Sequence, residues 1–225
     1  MNNSKDLIYY LSSFVSDERK AKFEQVIQYR TRHITVVLED LYQPHNASAV
    51  LRSCDCFGIQ DVHIIENKNT YKVNQDIALG SSKWLNLITY KKQVDNSRTC
   101  IEGLKKNGYK IIVTSPHKED CSIQELDLTC KTALVFGTEL KGISTEIMEQ
   151  ADGFVKLPMF GFTESFNISV SAALCLNSLI YRLHQSTIDW QLSNEEKEQV
   201  LLIWLRNSIR SSKLIEEDYI ARLKK

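Results

Sequence analysis

Short apolar or β-branched runs that alternate with helical patterns constrain this chain more than any other feature. Residues 34–38, 62–65, 87–90, 110–114, 133–136 and 154–157 are such runs, each bounded by polar residues or glycine. Helical patterns separate most of them, at 47–57, 98–106, 145–150 and 168–184. Parallel strands need a long crossover between them and are buried on both faces, so they read as continuous apolar runs spaced by helices. The expectation is an α/β fold, a mainly parallel sheet with helices on both faces.

Helices flank this core. In residues 1–29, Leu7, Tyr10, Leu11 and Phe14 fall at i, i+3, i+4 and i+7, and Ser16 is a fitting N-cap for a second helix. Beyond His184 the strand signals stop. Ser193 to Glu196 has the form of a capping box that opens a helix to about Ser208, and a last helix covers 213–224. The expected organisation is a helical leader at 1–29, a core at 30–185 and a helical tail at 186–225.

The 28 Lys and Arg balance the 28 Asp and Glu, so nucleic-acid binding would have to use local patches. Two basic concentrations exist. Arg19, Lys20, Lys22, Arg30, Arg32 and His33 belong to the leader region, and Arg206, Arg210 and Lys213 recur at i, i+4 and i+7, one face of a tail helix. Each reads equally as a solvated face or as a contact for an RNA backbone. The six cysteines are scattered with no CxxC pair, which fits reduced thiols in a cytoplasmic setting. The longest uncharged run, 165–181, contains two asparagines and four serines and falls short of the roughly 20 apolar residues of a membrane span. Asp6 interrupts any secretory pattern at the start.

There is no Gly-x-Gly-x-x-Gly, Walker loop, HExxH or Gly-x-Ser-x-Gly, which removes the commonest nucleotide, metalloprotease and hydrolase readings, and no metal is expected. The polar residues that remain fall after strands, where open α/β sheets bind ligands. After the first strand, Asn46 stands where an N-cap belongs. Arg52 either pairs with Asp55 three residues on or offers its planar fork to a phosphate. After the fifth strand, Gly137 and Gly142 flank Glu139, and such glycines let a backbone approach a ligand closely. After the sixth, Ser165 and Asn167 stand at the mouth of a helix, as caps or as groups that hold a polar substrate.

In order and spacing these three clusters resemble the three motifs of the SpoU/TrmH family of RNA ribose 2'-O-methyltransferases, within the SPOUT superfamily. Gly80-Ser-Ser-Lys-Trp84 resembles a further segment typical of the tRNA branch, and the likeness runs from about Arg30 to Arg182. The resemblance implies a SPOUT-type α/β fold with a deep trefoil knot near the C-terminus and S-adenosylmethionine as cofactor. It implies that Asn46, Arg52, Glu139, Ser165 and Asn167 carry the reaction, and that the backbone around Thr114, Gly137, Leu157 and Phe166 cradles the methyl donor. Ser82, where some tRNA-branch members have histidine, and Phe166, in place of a more usual leucine, depart from the pattern and bear only on substrate preference.

The implied activity is methylation of a ribose 2'-hydroxyl in tRNA, at a D-loop guanosine. An rRNA-modifying relative and an inactive RNA-binding paralogue are the alternatives. The short leader counts against the first and the intact motif residues against the second. Methyl transfer is an in-line displacement, so it asks for orientation and for help with one proton. The family proposal makes the arginine a base, yet guanidinium stays protonated in proteins, so Arg52 clamping a phosphate and stabilising the 2'-oxygen stands beside it. The helix at 168–184 is apolar most of the way round, which fits burial on several sides or burial on one and a second subunit on the other. The resemblance favours a homodimer, with leader and tail contacting tRNA.

Overall fold

A computed structural model describes residues 3–70, 80–92, 94–115, 120–138 and 142–223. They divide into two compact units, Thr31–Trp190 and a helical unit formed by Met1–Arg30 together with Gln191–Lys225.

The first unit holds one sheet. Its strands are β1 (Ile34–Glu39), β2 (Asp61–Ile65), β3 (Asn86–Tyr90), β4 (Lys110–Thr114), β5 (Cys121–Ser122), β6 (Thr132–Phe136) and β7 (Gly153–Lys156). They lie in the order β3-β2-β1-β6-β4-β7-β5, and every pairing is parallel. Six of the strands sit within a residue or two of the apolar runs. The two-residue β5 has no counterpart among them, being too short to carry a pattern.

Side chains alternate across the sheet, so each central strand supplies two cores. Ile34, Val36 and Leu38 of β1 with Leu134 and Phe136 of β6 face the helices α3 (Pro44–Cys56) and α6 (Ile168–His184). Val37, Ala133 and Val135 face the other way, toward α4 (Asn96–Lys106) and the single-turn α5 (Thr145–Met148). Helices therefore cover both faces, as the alternation of patterns requires. Full burial of each such aliphatic side chain contributes about 1.5–3 kcal/mol, so this double layer is the main stabilising term of the unit.

The helical unit consists of α1 (Asn3–Ser12), α2 (Asp17–Ile27), α7 (Asn194–Ser208) and α8 (Ser212–Leu223). Ser16 caps α2 by accepting from the Arg19 amide, and Ser193 with Glu196 closes the expected capping box on α7. Leader and tail are thus one packed body. Its centre is Trp204, fully buried, with the Phe23 ring 5.4 Å away and the Arg30 guanidinium 5.3 Å from the ring centroid. Residues 186–190 stay with the sheet, where Trp190 stacks on His184 and its carbonyl accepts from the Thr31 hydroxyl. No helix among the described residues is long and apolar enough to cross a membrane.

Candidate active site at the strand ends

The strands that end nearest the expected motifs are neighbours. In the run β1-β6-β4-β7, β1 leads to Asn46, β6 to Gly137, β4 ends on Thr114 and β7 precedes Leu157. All are parallel, so one edge of the sheet gathers segments that lie far apart in sequence.

Pro44 opens α3 with its fixed φ, and Gln43 precedes it as an N-cap that makes no side-chain bond. Asn46 is therefore not the cap that its position suggested. It is the third helical residue, buried, and its Nδ2 donates to Gln43 Oε1 at 3.2 Å. Its Oδ1 accepts from Nδ2 of Asn167 at 3.1 Å. Asn167 is the N-cap of α6, its Oδ1 accepting from both the amide and the hydroxyl of Ser169 at 2.8 and 2.6 Å. With that oxygen occupied, its amide nitrogen is the end left to face Asn46. Arg52 lies on the exposed side of α3. Ser165 is exposed just before the cap, and Phe166 is 41% exposed.

Beyond β6 the chain pinches. Thr138 and Gly142 exchange backbone hydrogen bonds at 3.0 and 2.9 Å, and a Cβ at Gly137 would lie 2.3 Å from the Gly142 carbonyl oxygen. The glycine is therefore needed by the chain's own fold-back, a constraint that the paired-glycine reading had assigned to a ligand. Glu139 lies outside the described residues. The Thr114 hydroxyl donates to the Val135 carbonyl at 3.0 Å, which leaves backbone as the contribution of this strand end. Leu157 is half-buried.

Two acids missed by the sequence reading stand at the root of this edge. Glu39, fully buried, accepts from the Ser97 hydroxyl at 2.5 Å and from the amide and hydroxyl of Ser144 at 2.8 and 2.6 Å. Asp40 holds φ at 51°, and its Oδ1 accepts from three successive amides, those of Asn67, Lys68 and Asn69. Those bonds offset the cost of a left-handed aspartate. Behind them, burial pushes the Cys100 thiol up to about 12 and holds the His63 imidazole down to about 4, outweighing the pull of Asp61.

The basic residues separate. Arg30 is buried over Trp204, and Arg32 is ion-paired with Asp61 at 2.9 Å and mostly covered, so neither offers its guanidinium to a phosphate, contrary to expectation. Packing consumed both charges. Arg206, Arg210 and Lys213 do not share one helix, because Ile209 is extended and Ser211 has φ 61°, which ends α7 and turns the chain into α8. Arg206 makes a bidentate pair with Glu216 at 2.7 and 2.8 Å. Arg210 and Lys213 are exposed, as are Arg19 and Lys22, while Lys20 pairs with Asp17. Among the described residues no group of three His, Cys, Asp or Glu could hold a metal ion.

An open parallel sheet with polar loops gathered on contiguous carboxyl ends defines an α/β protein built to bind a ligand at that edge. The chain belongs to the SpoU rRNA Methylase family, whose model matches residues 33–177. It is 44% identical over 206 residues to the tRNA (guanosine(18)-2'-O)-methyltransferase of Borreliella burgdorferi, across 92% of this chain and 93% of that one. Its fold superposes with a TM-score of 0.76 on the TrmH/SpoU tRNA modifying enzyme of A. aeolicus, at 30% identity over 86% of this chain and 98% of the other. The SpoU methyltransferase AviRb of Streptomyces viridochromogenes, solved in complex with AdoMet, shares the fold at 20% identity and a TM-score of 0.61, over 72% and 65% of the two chains.

Proposed function

We propose that this protein transfers a methyl group from S-adenosylmethionine to the ribose 2'-hydroxyl of guanosine 18 in tRNA. The observation that carries the reading is the Asn167–Asn46 hydrogen bond, which joins the first and third motifs at the shared strand edge of a chain 44% identical to an enzyme so named.

The edge suits the donor. Strand ends at Thr114, Gly137 and Leu157 offer backbone amides and carbonyls to a nucleoside, and the partly exposed Leu157 and Phe166 supply apolar walls. When bound, S-adenosylmethionine supplies an electrophilic methyl. The chain's own work is then orientation. Arg52 grips the phosphate beside the target ribose and steadies charge developing on the 2'-oxygen. Asn46 and Asn167, each fixing the other's amide, hold one face of the site rigid, while Ser165 adds an exposed hydroxyl and Glu139 keeps its expected role of helping with the hydroxyl proton.

The chain leaves β4 for the edge at β5, returns inward to β6 and passes outward again to β7, an order in keeping with the trefoil knot of the superfamily. We also propose a cytoplasmic homodimer. Val170, Leu174 and Tyr181 leave an apolar stripe on α6 that is 43%, 42% and 69% exposed, and a second copy would cover it. Arg19, Lys22, Arg210 and Lys213 are exposed, and there a tRNA backbone would meet them.

The test is incubation of the purified protein with methyl-labelled S-adenosylmethionine and a tRNA transcript, followed by mapping of 2'-O-methyl positions. Label at guanosine 18, lost when that ribose is 2'-deoxy, is expected. Label at another position of the transcript, or none, overturns the assignment.

A further inference from the structure

Glu39 is not among the residues assigned to the reaction, and its side chain accepts hydrogen bonds from Ser97 and Ser144. It is the last residue of β1, so it sits at the root of the loop that leads to Asn46. A fully buried carboxylate is costly unless its oxygens are satisfied, and here three donors converge on it from two other elements. Ser97 belongs to the first turn of α4. Ser144 is the N-cap of α5 and lies two residues beyond Gly142, which pairs with Thr138. Gly142 is therefore held to Thr138 by two backbone hydrogen bonds, and Ser144, two residues on, is held by Glu39.

We infer that Glu39 is a positioning residue, which sets the start of α5 against the end of β1, at the root of the Asn46 loop, by holding Ser144. The inference rests on the methyltransferase reading above. The Ser144 amide and hydroxyl bind the two oxygens of one carboxylate, which fixes both the distance and the rotation of the α5 N-terminus relative to β1. Ser97, tied in turn to the Asn67 side chain at 2.7 Å, extends the same hold to the β2–β3 connection. A backbone-built donor site depends on such spacing, since its contacts cannot be recovered by rotating a side chain.

The experiment is a double-mutant cycle on the full chain with Glu39→Gln, Ser144→Ala and the pair, read by calorimetric titration of S-adenosylmethionine and by thermal melting. Glutamine keeps one acceptor but meets the serine donors with an NH2 group, and alanine removes the Ser144 hydroxyl. Each single change is expected to weaken donor binding roughly tenfold, the size of one lost charge-assisted hydrogen bond, and the double variant to be no weaker than the worse single one. A melting point that falls while the folded protein binds donor normally makes Glu39 merely structural and overturns the inference, as do strictly additive losses. Should Glu39→Gln fail to fold, Ser144→Ala alone decides, with unchanged donor affinity as the overturning result. Absence of donor binding in the unsubstituted protein would instead sink the methyltransferase reading, and this inference with it.

Discussion

Asn46 and Asn167 lie 121 residues apart in the chain, and the Nδ2 of the second donates to the Oδ1 of the first at 3.1 Å. The bond fixes the orientation of both amides, because Asn167 spends its oxygen on Ser169. Replacing Asn167 with alanine removes a helix cap and the partner of Asn46 at once. The cap alone costs about 1 kcal/mol. Turnover is expected to drop by about a hundredfold, as misplaced reacting groups do. Melting and steady-state rates measured on the same preparation separate the two effects, and a rate loss no larger than the loss of folded protein would reduce Asn167 to a cap.

Arg52→Ala is expected to cut methyl transfer by about 100-fold to 1,000-fold while leaving donor affinity and melting temperature near those of the unsubstituted protein. The side chain is exposed, so its loss should cost little stability. Lysine should rescue poorly, because a point charge cannot reproduce a two-pronged contact. Donor affinity falling in step with rate would move Arg52 into the cofactor site.

Gly137→Ala should weaken donor binding through the protein's own backbone. The new Cβ would meet the Gly142 carbonyl, so the pinch must open at about 1–3 kcal/mol. Faster hydrogen exchange at the Thr138 and Gly142 amides, together with lost donor affinity, is the expected pair of signals. Normal exchange with lost affinity would mean that the added methyl touches the donor directly.

His63 predicts a pH dependence of stability. Its folded value of about 4 lies below the ordinary 6.5, so the unfolded chain binds more protons between those values and stability rises with pH there. The contribution is complete above pH 6.5 and about 3 kcal/mol of it is gone at pH 4. Denaturant titrations of the protein and of His63→Leu across this range should show the slope flattened in the variant. Parallel curves would place the proton uptake elsewhere.

If the exposed tail charges meet tRNA, Arg210→Gln with Lys213→Gln should flatten the log-log dependence of affinity on salt by about 1.5, from roughly 0.7 to 0.9 per phosphate contact. Arg206→Gln should change this slope less and lower the melting temperature more, since Glu216 already holds that guanidinium. Filter binding over a salt series distinguishes them.

The sheet was legible because strands buried on both faces are uniformly apolar, as in the run from Ile34 to Leu38. The polar ends were legible as residue types, but their partnership was not. Asn167 reads as a cap from its neighbours alone, and nothing in those neighbours points to Asn46. Glu39 gave no signal, since an acid after an apolar run is ordinarily solvated. The tail misled for a local reason: Arg206, Arg210 and Lys213 keep helical spacing through a break made by backbone angles at Ile209 and Ser211, residues that carry no breaker signature. Arg30 misled for a distant one, because its burial is decided by Trp204 near the other end of the chain.

That last contact bears on how the molecule is made. Phe23 and Arg30 leave the ribosome early, and the indole they pack against is synthesised only after the entire sheet. The sheet unit has all of its strands in hand before the helical unit has its centre, so the two should mature in that order. Until α7 arrives, Leu11, Phe23 and Ile27 have no permanent cover, and a nascent chain stalled before Trp204 would offer them to chaperones.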